Sequence, residues 1–234
     1  MTSRVILVIA DACDHAARAL AGRWAAHRAL LLTPDSLSAR GWRHHVGAPE
    51  SGELAIGVGG TLETVNVVGV YTRLSHVREE DLCCIVESDR AYVAAEMTSF
   101  LQAWLSELPC PVVNRPTPTC LSGPYWRRER WIHAAAGLGI PVRAVDRNAS
   151  AAAPDWPCTG AIAVTVVGDR WFGRVDDLVA THALRLARLA EAEVLQAFFE
   201  TDTDAGARFI GADLWPDVMV PDVADALLRR VLRA

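Results

Sequence analysis

The chain has 234 residues, enough for one large domain or two small ones, and its 51% hydrophobic and 22% charged composition belongs to a folded protein. A net charge of −5 without a basic block argues against nucleic-acid binding by electrostatic attraction. All 23 basic residues are arginine, which excludes chemistry that needs a lysine amine, from a P-loop to a Schiff base.

The first apolar run, Val5 to Ala10, is too short to cross a membrane. Asp11 and Asp14 follow it at once and no small-residue cleavage site is present, so it reads as a buried strand in a cytoplasmic protein. A helical stretch from Ala16 to Ala29 and a short strand, residues 30–33, complete a β-α-β pattern and predict a parallel pair. Leu54–Val58 and Leu62–Val65 read as two strands joined by Gly59-Gly60. Val67 to Arg73 is a further buried strand that ends in an arginine. Residues 87–108 have helical spacing, stopped by Pro109, and Pro111 to Asn114 is a short strand followed by a rigid loop, residues 115–119.

Pro124 to Gly137 predicts a helix capped at Gly137 or Gly139. Residues 147–160, rich in Ala, Pro and Ser, read as a linker or surface loop. Ala161–Val167 and Trp171–Arg174 form a predicted hairpin around Gly168-Asp169-Arg170. An amphipathic helix is expected over 183–197, a strand over 209–214 and a last helix over 222–232, with Arg229, Arg230 and Arg233 at its negative end.

Several common chemistries find no support. Gly57-Val58-Gly59-Gly60 has no following lysine and helix, so it is a hairpin turn and not a phosphate loop. No G-x-S-x-G elbow occurs. The six cysteines form no C-x-x-C pair, and in a reducing compartment they read as small, partly buried apolar residues with no metal site among them. His44-His45 point apart and read as part of a solvated loop.

The carboxyl ends of parallel strands border the ligand crevice in open α/β sheets. Asp11, Cys13 and His15 follow the first strand there, with Asp11 or Asp14 also able to cap the helix. Tyr71 and Arg73 close the next strand, and Asn114 the one after. Arg73 could fork a carboxylate or phosphate, or pair with Glu79, Glu80 or Asp81.

The order of these segments resembles the ATP-grasp superfamily, in its RimK and glutathione-synthetase form that includes graspetide maturases. Val70-Tyr71-Thr72-Arg73, Pro111-Val112-Val113-Asn114-Arg115-Pro116, the helix ending in Gly137-Leu138-Gly139-Ile140-Pro141-Val142, the hairpin Ala163 to Phe172 and Phe209 to Val218 carry the likeness. It covers the chain from about residue 65, and more loosely from residue 1. The resemblance implies a Rossmann-like pre-ATP-grasp domain over 1–115, mostly of parallel sheet, and a shortened α+β ATP-grasp-like domain over 116–234.

The departures from that pattern are specific. Between Val142 and Ala161 the family carries a lid subdomain with a second lysine, and here an Ala/Pro loop stands instead. Aligned on the glycine, Arg128 takes the place of the family's nucleotide lysine. Gly211 and Asp213 stand where it presents Glu and Asn to Mg²⁺, with Glu200 near the first metal carboxylate. The resemblance therefore implies a degenerate protein without ATP or Mg as cofactor. It would bind a peptide or small ligand through Asp11, Tyr71, Arg73, Asn114 and Arg128, and form a homodimer or pair with an intact ATP-grasp ligase. Two alternatives stay open: a divergent ATP-dependent ligase using Arg128, Asp213 and Glu200, or an unrelated enzyme using Cys13, His15 and Asp11.

Overall fold

The computed structural model describes residues 4–38, 42–48, 51–56, 60–145, 160–203 and 206–233. It divides into two compact units, Met1–Gly123 with Val218–Ala234, and Pro124–Asp217. The expected linker at 147–160 lies, but for its last residue, outside the described residues.

The first unit is built on a parallel sheet of order β2-β1-β5-β6, from β1 (Val5–Ile9), β2 (Ala29–Leu32), β5 (Val67–Thr72) and β6 (Val112–Val113). Both faces of β1 are buried, which is why its sequence shows no polar alternation. Val5, Leu7 and Ile9 belong to a core with Val70, Val112, Leu101, Trp104 and Leu105, the last three from α3 (Glu87–Glu107). The opposite face carries α1 (His15–Arg23) and α6 (Pro221–Val231). Ile6 is in register with Gly69 on that face. A methyl group on Gly69 would overlap the Val231 carbonyl oxygen, so only glycine lets the end of α6 lie on β5. Sequence order placed this last helix with the second half of the chain, but packing against Gly69 puts it in the first unit.

Other parts of the first unit differ from expectation in detail. The first helix is shorter than expected, ending at Arg23 before a 3₁₀ turn, Ala25–His27, with Arg28 in the left-handed region at φ 55°. A short helix, α2 (Pro34–Leu37), follows β2. The predicted hairpin is present as β3 (Glu53–Ile56) paired with β4 (Gly60–Glu63), its turn at 57–59 lying outside the described residues. His44 is not solvated: its side chain is 7% exposed, 3.2 Å from Glu107 and edge-on to Phe100. Cys110 and Cys120 are buried as expected, but Cys13, Cys83 and Cys84 are exposed.

The second unit is an antiparallel sheet of order β10-β9-β7-β8, from β7 (Ile162–Val167), β8 (Arg170–Phe172), β9 (Val194–Phe199) and β10 (Phe209–Asp213). Helices α4 (Arg128–Gly137) and α5 (Asp177–Leu189) pack on it. The C-terminus of α4 turns through Gly139 at φ 71°, as the capping signal required. Arg185 of α5 donates to the Leu138 carbonyl at 2.7 Å and satisfies that end.

The expected helix over 183–197 is corrected. It begins at Asp177 and stops at Leu189, and residues 194–199 form the inner strand β9. Every residue of β9 but Gln196 is buried between β7 and β10, so its VLQAFF run shows no alternation to distinguish strand from helix.

Two outcomes are expected from this packing. Gly69→Ala should cost about 2 kcal/mol or more of first-unit stability in urea unfolding, because the backbone carbonyl it meets cannot rotate away. Burial pushes the Cys110 thiol up to about 11 from an ordinary 9.0. The unfolded chain then loses a proton that the folded chain keeps, so stability falls between those values as pH rises. Cys110→Ala should remove about 2 kcal/mol of that decline, measured as the difference between the two proteins' unfolding curves across the window.

Candidate functional site

At the carboxyl edge of the parallel sheet, Asp14 is the cap of α1, accepting from the Ala17 N–H at 2.9 Å. Its other oxygen accepts from Arg73 Nε at 2.7 Å. The two side chains are 10% and 18% exposed. Burial works against the Arg73 charge, but Tyr71 and Asp14 more than offset it and push the guanidinium's pKa up. Arg73 therefore holds α1 to the end of β5, and its partner is Asp14 and not an acid of the 79–81 segment.

Asp11 turns back on the chain, accepting from the Cys13 N–H at 2.8 Å, and pairs with Arg78. Arg78 also grips Asp81 at 2.8 Å. Tyr71 is buried and tilted against Trp24, with ring centroids 6.4 Å apart. Asn114 is 3% exposed and donates to the Ser122 carbonyl at 3.2 Å, while Gly123 lies against its Cβ. The structure thus brings Asp11, Tyr71, Arg73 and Asn114 to one sheet edge, where Asn114 also fastens the loop that follows β6. The fifth predicted residue, Arg128, belongs to the other unit.

Arg128 opens α4, and its Nε donates to the Ile210 carbonyl of β10 at 3.1 Å. It lines a cavity of about 340 Å³ with Tyr125, Trp126, Arg127, Ala212, Asp213 and Trp215. The rings are braced: Trp126 lies 4.6 Å from Trp131 under the Arg130 guanidinium, and Tyr125 meets Trp215 edge-on at 5.2 Å. Asp213 accepts from the Trp215 N–H at 3.0 Å and shapes the turn after β10. Sequence reading found Arg128 and Asp213 here but missed the aromatic wall, although Tyr125-Trp126-Arg127-Arg128 and Trp215 concentrate three of the rings in two short segments.

The solved structures similar to this chain share one architecture. A macrocyclase, MdnC, bound with precursor peptide MdnA from Microcystis aeruginosa, matches with a TM-score of 0.70 over 98% of this chain and 100% of its own, at 10% identity. The fold is that of the ATP-grasp ligases. ATP-grasp ligase PsnB, complexed with a phosphomimetic precursor variant, Mg and ADP, matches at a TM-score of 0.65, 14% identity and 98% and 99% coverage. The Chryseobacterium gregarium RiPP-associated ATP-grasp ligase, in complex with ADP and a leader and core peptide, matches at 0.65, with 11% identity and 97% of each chain covered. No protein-family model and no curated protein matches the sequence. The expected α/β architecture, a parallel sheet followed by a separate antiparallel one, is present.

The ATP-grasp fold implies Mg²⁺ and ATP, and the donor set here does not fit the metal. Magnesium demands near-octahedral oxygen ligands with carboxylates free to approach it. Glu200 is held by Arg208 at 2.6 Å and Arg143 at 3.5 Å. Gly211 offers no side chain and sits at a register shift in β10. Asp213 is the one acid among the cavity-lining residues.

The Arg73–Asp14 pair is open to a double-mutant cycle. Arg73→Met and Asp14→Ala should each destabilise the first unit by about 2–4 kcal/mol, and the double variant should lose less than their sum by about 1–3 kcal/mol. Additive losses in chemical denaturation would show that the two side chains act apart.

Proposed function

We propose that this ATP-grasp-fold protein has lost ATP-dependent ligation and serves as a peptide- or ligand-binding partner subunit in peptide modification in the cytoplasm. The observation that carries the reading is the commitment of Glu200 to Arg208 and Arg143, together with the glycine at position 211. Stabilising phosphoryl transfer needs a metal bridging the phosphates and cations aimed at the moving charge. Two guanidinium groups on Glu200 oppose a metal at that carboxylate. Arg128, at the place of the family's lysine, spends its Nε on a backbone carbonyl.

The peptide side of the reading is supported by the company the fold keeps, since structural neighbours hold precursor peptides. In this reading the protein works as a homodimer or beside an intact ATP-grasp ligase, and a precursor peptide is its ligand. The truncation that the resemblance implies between Val142 and Ala161 removes the cover over the phosphates and belongs to the same proposal.

Calorimetric titration with ATP and Mg²⁺ should give no metal-dependent heat up to about 1 mM nucleotide, an affinity limit near 4 kcal/mol. Magnesium-dependent ATP turnover above background, abolished by Asp213→Ala, would overturn the proposal and restore the divergent ligase.

A further inference from the structure

We infer that the cavity of the second unit, lined by Tyr125, Trp126, Arg127, Arg128, Asp213 and Trp215, is a binding site for a planar or aromatic group that bears a carboxylate, and not for a nucleotide. The inference deepens the reading of the protein as a binder. It names the chemistry of what this unit holds.

Three observations lead to it. The first is size: about 340 Å³ is the small end of ligand pockets and suits one aromatic residue with its polar end, where a nucleoside triphosphate needs more. The second is rigidity. Tyr125 and Trp215 brace one another, and Trp126 is fixed between Trp131 and Arg130, so the walls need little ordering when a ring slides between them. Tyr125 is nonetheless 53% exposed, an aromatic ring left half in water at the cavity wall.

The third is charge. The lining carries two guanidinium groups against one carboxylate, a local excess of one positive charge in a chain that is acidic overall. Asp213 faces its own Trp215 N–H, and Arg128 is oriented by the Ile210 carbonyl. Arg127 is exposed, immediately precedes α4 and forms no ion pair among the described residues. The start of α4 has no side-chain cap, so its positive end adds to the same field. A carboxylate that meets Arg127 while its ring lies against Tyr125 and Trp215 satisfies all of these groups at once. Such a group has two sources, a free aromatic acid or an acidic–aromatic pair within a peptide.

The test uses the whole chain and tryptophan fluorescence, because Trp126 and Trp215 line the site. N-acetyl-phenylalanine is the probe for ring with carboxylate, N-acetyl-phenylalaninamide for ring alone and acetate for carboxylate alone. The first should bind at least about tenfold more tightly than either of the others. Arg127→Ala should lower its affinity to that of the amide, and Tyr125→Ala should weaken acid and amide alike. Both residues are exposed, so thermal melts of these variants should match the parent. Ac-Asp-Phe-amide separates the sources: tighter binding than N-acetyl-phenylalanine assigns the site to a peptide, and weaker binding assigns it to a free acid. Equal affinities for acid and amide, indifference to Arg127→Ala, or no response to about 10 mM probe would overturn the inference. ATP turnover bears on the loss of ligation and these probes on the ligand, so either can fail alone.

Discussion

Guanidinium–carboxylate pairing governs what this molecule offers to a ligand. Each unit meets its carboxylates with arginine. In the first unit Asp14 holds Arg73 while Asp11 and Asp81 share Arg78. In the second, Glu200 lies between Arg143 and Arg208. Arginine is always charged and grips a carboxylate with a planar fork, so these contacts convert potential ligands and bases into fasteners. A lysine at any of these places would be a looser, more readily neutralised partner. The absence of lysine thus has a structural expression, whatever its origin in composition.

The same pairing separates the two candidate sites. At the edge of the parallel sheet Asp11, Asp14 and Arg73 are paired within the unit and Tyr71 and Asn114 are buried, while His15 is exposed. The cavity beside α4 is the reverse case. Its aromatic rings fix one another and leave Arg127 facing solvent. The fold is that of ATP-grasp ligases, and β10, with Gly211 at a register shift, contributes Ala212 and Asp213 to the cavity wall beside Trp215.

Much of this was legible in the residues themselves. Both faces of β1 and β5 are covered, and continuous runs such as Val5-Ile6-Leu7-Val8-Ile9 announce that directly. The caps at Asp14 and Gly139 follow from local chemistry. What could not be read was set by long-range partners. Arg73 had three acids nearby in sequence, yet it takes a fourth from the helix before it, 59 residues away. Strand β9 hid inside a presumed helix because a fully buried strand loses its period. The aromatic wall assembles from segments about 90 residues apart, Tyr125 to Arg128 and Ala212 to Trp215, and neither is a motif alone.

The close seat of α6 against Gly69 has a consequence for how the chain is made. The first unit is discontinuous: its last helix is supplied after the whole of the second unit has been synthesised. Residues 124–217 form a contiguous unit that is made in full before any of α6. Domains fold as units during synthesis, in the order their parts emerge. The face of β5 around Gly69 therefore stays uncovered until α6 has been made and has emerged. Until then that face of the growing chain is open to proteases and to mispairing.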